Sequence, residues 1–122
     1  MVSRDTRLER LEAGRRAEQL VHDQLVRDGF EIVARNWRGG GGELDVVGLR
    51  HGWLRVVEVK LRNTDSDGLG LDAIDWRKRL RLVRAVDALL QTLGARPVER
   101  VTLSVAFVRG NQIRWVDDPF DA

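Results

Sequence analysis

A chain of 122 residues is long enough for one domain with its own core, and it has no cysteine and only two histidines, His22 and His51. Disulfides and thiolate metal centres are excluded and an imidazole zinc site is disfavoured, so a metal here would rest on oxygen ligands, which favours Mg²⁺ or Mn²⁺. The net charge is only +2, yet Lys60 and Lys78 are the only lysines among 21 basic residues; arginine suits bidentate phosphate contacts, although a GC-rich genome produces the same bias.

The N-terminal stretch "MVSRDTRLERLEAGRR" lacks the apolar core of a signal peptide, and no run approaches the ~18 apolar residues of a membrane span. The expectation is a cytoplasmic protein with no membrane partner. From about Arg4 to Asp28 the spacing predicts a helix, with Leu8, Leu11, Ala17, Val21 and Leu25 as its apolar stripe. Ser3 or Asp5 suits the N-cap and Gly29 the stop. Glu18 falls on the face of Leu11, Gly14, Val21 and Leu25, and a carboxylate on a core-facing stripe needs a partner. Arg15 is the ordinary one. Gly14, one turn earlier, would give backbone or ligand room to approach.

"FEIVARNW" reads as a first strand, broken by "RGGGG". That glycine run is either a flexible loop or a place where phosphate approaches the backbone closely. "ELDVVGL" and "WLRVVEVKL" are the next strands, joined by a tight turn in which Gly52 supplies positive φ. "RNTDSDGLGLDAI" reads as a loop. Asp72 and Asp75 suit the start of a second helix that reaches about Leu93 and stops at Gly94, with Ile74, Leu80, Val83, Val86, Leu90 and Leu93 apolar. "RVTLSVAFVR" and "QIRWV", joined at Gly110-Asn111, complete an αβββαββ order. This predicts one α/β sandwich over residues 1–122, core about 4–116, with a central sheet flanked by helices.

The stretch "RVVEVKLR", residues 55–62, is a core strand except for Glu58 and Lys60. Two apart, they point to one face, and burying such charges is costly unless they are paired or bound to a metal. With a two-residue turn at His51-Gly52, Arg50 pairs with Trp53, Asp45 lies opposite Glu58, and Glu43 opposite Lys60. Asp45, Glu58 and Lys60 then converge, while Leu44, Val46, Val57 and Val59 form an apolar face. Opposed carboxylates repel, and a divalent cation between them reverses that sign. A solvated surface charge cluster is the bland alternative.

The segments "AEQLVHDQLVRDGFEIVARNWR", "GELDVV" and "VVEVKLR" resemble the YraN-like family of small bacterial proteins, relatives of Holliday-junction resolvases. The resemblance covers about residues 11–95 and centres on Arg35-Asn36, Gly42-Glu43-Leu44-Asp45 and Glu58-Val59-Lys60. It implies the PD-(D/E)XK, restriction-endonuclease-like fold with a central mixed sheet. Asp45 and Glu58 match its metal-binding acids, Lys60 the motif lysine, Glu18 the helix acid and Lys78 a lysine on the second helix. Two positions depart from the family pattern: Ala17 stands before Glu18 where glycine is usual, and Arg100-Val101-Thr102-Leu103 lacks an acid.

The resemblance implies a metal-dependent nuclease acting on DNA, on branched, flapped or single-stranded structures in repair or recombination. Mg²⁺ or Mn²⁺ would be held by Asp45, Glu58 and the carbonyl of Val59, with Lys60 and Glu18 completing the catalytic set. Arg38, Arg62, Arg77, Lys78 and Arg81 are the expected phosphate contacts. Of the tryptophans, Trp37 is the expected base stacker, and Trp53, Trp76 and Trp115 are expected to pack. Resolvase-like action calls for a two-fold homodimer, whose surface the sequence does not mark. A non-catalytic nucleic-acid-binding module and a protein-interaction adaptor are the rival classes, since fold does not determine activity.

Overall fold

Ala17, Val21 and Leu25 recur every four residues, which turns one stripe of helix α1 (Arg4–Arg27) onto a sheet. In this computed structural model, which describes residues 4–62 and 76–119, those three are buried. Leu8 and Leu11, expected on the same stripe, are 49% and 54% exposed. Residues 6–12 are all exposed, so the early turns of α1 have no sheet beneath them. Asp5 lies inside α1 rather than capping it. Ser3, the segment 63–75 with Asp72, Ile74 and Asp75, and the ring of Trp76 lie outside the described residues.

Strands β1 (Glu31–Gly39), β2 (Gly42–Arg50) and β3 (Trp53–Leu61) precede α2 (Trp76–Thr92), and β4 (Arg100–Arg109) and β5 (Gln112–Asp117) follow it. They lie side by side in chain order, antiparallel except for the central β3–β4 pair, which is parallel with α2 in its crossover. The result is a five-stranded mixed sheet between two helices, consistent with the restriction-endonuclease-like fold. Ala17, Val21, Leu25, Val46, Val57 and Ala106 fill the α1 side, and Leu44, Val47, Leu54, Val56, Leu82 and Leu89 the α2 side. Because both faces are covered, β2 and β3 read as nearly continuous apolar runs.

The face of α2 differs from expectation. Leu82, Ala85, Val86 and Leu89 are buried, while Leu80 is exposed and Val83, Leu90 and Leu93 are half-buried. Apolar residues occur on more than one side of α2, so periodicity admits several faces and the sheet selects one.

The β2–β3 turn is as expected: Arg50 pairs with Trp53, and His51 and Gly52 have φ of 48° and 80°. The glycine run is not a loose loop. Gly39 pairs with Gly42 around a two-residue turn, and the backbone that approaches is that of α2. A Cβ on Gly42 would lie 2.7 Å from the Arg81 carbonyl oxygen. Gly42→Ala is therefore expected to lower stability by about 1–3 kcal/mol in denaturant unfolding; an unchanged midpoint would show that the hairpin tip does not rest on the helix.

Trp37 is not free for stacking: it packs on the α2-side core and covers Gly39. Trp53 and Trp115 pack on the other side. Between them sits a buried charge that strand alternation did not single out, Arg55. Its guanidinium lies 4.2 Å from the Trp115 ring and bonds Asp117 at 3.0 Å.

Candidate active site

The β2–β3 ladder runs from Arg50–Trp53 to Val46–Val57 and stops there. The next rung would be Asp45 and Glu58, the pair the turn register predicts, but the strands part. Asp45 Oδ2 instead crosses the gap and accepts a hydrogen bond from the Val59 amide at 2.8 Å. Both carboxylates still line one cleft of about 710 Å³ between β2, β3 and α2. Glu43 does not reach Lys60, because the ladder has ended; it shares a rung with Arg38 and pairs with it at 3.7 Å. Leu44 does not share a face with Val46 and Val57, for it packs on the α2 side and they pack on the α1 side.

On β3, alternation places Glu58 and Lys60 on the α2 face beyond Leu54 and Val56. Lys60 Nζ lies 3.2 Å from Glu58 Oε1, and Lys78 Nζ, from α2, pairs with the same oxygen. Glu58 is only 13% exposed, and its other oxygen, Oε2, is buried with no hydrogen-bond partner among the described residues. Burial pushes the Asp45 carboxyl up; the Val59 amide opposes this, and the charges of Glu58, Glu18 and Glu43 push it further, to about 6. Burial pulls Lys78 down, but its hydrogen bonds to Glu58 and Lys60 and the charges of Glu58 and Asp45 together outweigh that and hold the ammonium above the usual lysine range.

Glu18 stands on α1, outside the residues that line the cleft. It is half-buried on α1 and accepts a hydrogen bond from Asn36 Nδ2 at 3.3 Å. Among the described residues, nothing outside the backbone of α1 comes within 4 Å of where a Cβ on Gly14 would lie. Among the described residues no three Asp, Glu or His side chains gather into a metal cluster, so Glu18 is apart from the Asp45–Glu58 pair. The groups that could hold a cation here are the Asp45 carboxylate, Glu58 Oε2 and the Val59 carbonyl. In an extended strand that carbonyl points to the same edge as the amide that meets Asp45. An all-oxygen set suits a hard divalent ion. The bare Oε2 and the Asp45 carboxyl held toward its neutral form are both strains that such an ion relieves.

Of the basic residues read from the sequence, Arg38, Lys78 and Arg81 line the cleft. Arg77 is exposed on α2, outside the cleft lining. Arg62 is half-buried, with its guanidinium 5.2 Å from the Phe107 ring.

The profile of the uncharacterised protein family UPF0102 matches residues 17–109, a span that holds Glu18, Asp45, Glu58, Lys60 and Lys78. A UPF0102 protein of Pseudomonas putida is 37% identical over 114 residues, covering 89% of this chain and 93% of its own length. One from Pseudomonas fluorescens is 32% identical, with 92% and 95% covered, and one from Ectopseudomonas mendocina 30% identical, with 89% and 94% covered. Among the described residues no helix is long and apolar enough to cross a membrane.

Proposed function

The chain belongs to the UPF0102 family, and we propose that it is a metal-dependent nuclease that hydrolyses phosphodiester bonds of DNA, in branched, flapped or single-stranded structures that arise in repair or recombination. The observation that carries the reading is the floor of the cleft. There two carboxylates converge, one with a buried, unpartnered oxygen, beside a lysine and beneath Arg38 and Arg81.

Asp45, Glu58 and the Val59 carbonyl are the groups that would hold Mg²⁺ or Mn²⁺. When bound there, such an ion would supply Lewis acidity for phosphodiester hydrolysis. Lys60 touches Glu58 from outside the residues that line the cleft, and in this reading it stabilises negative charge developing on the phosphoryl oxygens and orients the attacking water. Asp45, bonded to the Val59 amide, fixes the spacing between β2 and β3 where they part. Glu18, whose charge acts on Asp45 from α1, orders water on that side. Arg38 and Arg81 bind the backbone phosphates, and Lys78 extends that basic track down to Glu58. Action on a branched junction would pair two copies about a two-fold axis.

One observation favours a second reading. Lys60 and Lys78 together already balance Glu58 without a metal, as a nucleic-acid-binding module that does not cut would require.

A cleavage assay over branched, flapped, single-stranded and duplex DNA, with Mg²⁺ or Mn²⁺ and an Asp45→Ala control, separates the two. The expected result is metal-dependent cutting of the non-duplex substrates that Asp45→Ala abolishes. Salt-sensitive DNA binding with no cutting under any metal would leave the binding module instead.

A further inference from the structure

Asn36 has a φ of 48° in the middle of β1. Left-handed backbone inside a strand is uncommon, and asparagine is one of the few residues besides glycine that tolerate it. Around it the β1–β2 register holds, Arg35 with Val46 on one side and Trp37 with Leu44 on the other. The rung between them, Asn36 and Asp45, is not formed.

Both strands change face at that missing rung. Regular alternation would send Asn36 with Ala34 toward α2, and Trp37 with Arg35 toward α1. Instead Arg35 and Asn36 both reach α1: Arg35 donates to Gln19 at 2.9 Å and Asn36 to Glu18 at 3.3 Å. Trp37 joins Ala34 on the α2 side. On β2, Val46 belongs to the α1-side core and Leu44, two residues away, to the α2-side core. The hairpin tip is thus turned over as a unit. Asp45 lies at the step, outside the ladder and bonded to Val59.

We propose that Asn36 is the positioning residue of the carboxylate site: its left-handed backbone turns the hairpin tip over and frees Asp45 to cross to β3, while its side-chain amide tethers Glu18 on α1. Glycine would supply the backbone without the tether. Aspartate would set a second carboxylate directly against Glu18. Alanine or valine would favour regular alternation and draw Asp45 back toward the β1–β2 ladder. Any effect on cleavage rests on the nuclease reading; the placement of Asp45 does not.

Hydrogen exchange at the Val59 amide tests the placement directly, because that amide is protected by Asp45 rather than by a strand partner. The cost of left-handed backbone for a Cβ-bearing residue predicts exchange about tenfold faster in Asn36→Ala, with the amides of the β3–β4 ladder unchanged. Asn36→Gly is expected to stay within about threefold of wild type at Val59. Global destabilisation would instead speed all these amides together, and that result overturns the proposal, as does equal Val59 protection in Asn36→Ala and wild type. Should the wild-type protein neither bind Mn²⁺ nor cut DNA, the nuclease reading fails while the Val59 exchange still decides the role of Asn36.

Discussion

Lys60→Met is expected to fold and bind DNA as wild type does, and to cut on the order of 10²–10³-fold more slowly. The structure separates the two roles of this side chain. As a strut, Lys60 balances Glu58, but Lys78 pairs with the same Glu58 oxygen, so the acid keeps a counter-charge when Lys60 is removed. Methionine fills the same volume, and for a partly exposed pair the loss of stability should be no more than about 1 kcal/mol. As a chemical group, Lys60 is the cation on β3 beside the proposed ligands, and no neighbour on that strand replaces it. Lys60→Arg should also cut poorly, because a planar fork does not reproduce a compact ammonium. Single-turnover cleavage of flapped or single-stranded DNA, alongside denaturant unfolding, checks both. Wild-type cutting by Lys60→Met would reduce Lys60 to a strut and remove the proposed mechanism.

Asp45→Asn is expected to make the metal-free protein more stable near pH 8, by about 2–3 kcal/mol. The Asp45 carboxyl is raised from 3.8 to about 6, first by burial and then by neighbouring carboxylates. A carboxyl with a raised folded pKa binds its proton more tightly in the folded state than in the unfolded one. Its contribution therefore favours folding below about 4, is lost as pH rises through the window from about 4 to about 6, and stays lost above it. The amide removes the charge and retains an oxygen to accept from Val59. Wild type in chelator should lose stability across that window more than Asp45→Asn does.

The response to metal has the opposite sign. Mg²⁺ or Mn²⁺ should stabilise the wild type by linkage, by about 2.7 kcal/mol at a hundredfold excess over Kd, and so raise its Tm while leaving Asp45→Asn unmoved. Thermal unfolding at pH 4, 6 and 8 with and without metal measures both effects. Equal metal shifts in the two proteins would remove Asp45 from the ligand set.

The sequence by itself determined the αβββαββ order, the β2–β3 turn and the common face of Glu58 and Lys60. Each depends on local physics: side chains alternate with period two, and a His51-Gly52 turn with positive φ sets the register for the residues beside it. The turn register marked Asp45 and the apolar stripe of α1 marked Glu18, and the family resemblance then gave both a role at one site. Only the tertiary structure decided where the ladder ends, why Leu44 and Val46 part company, and which stripe of α2 meets the sheet. It also paired Lys78 with Glu58 across elements separated by the segment 63–75, and set Arg55 between two tryptophan rings. Alternation assumes that a strand keeps its hand. A single left-handed residue, Asn36, with a glycine tip that rests on the α2 backbone, reverses the faces beyond it. Such a reversal is stabilised by contacts between residues distant in the chain, so it leaves no periodic trace in either strand.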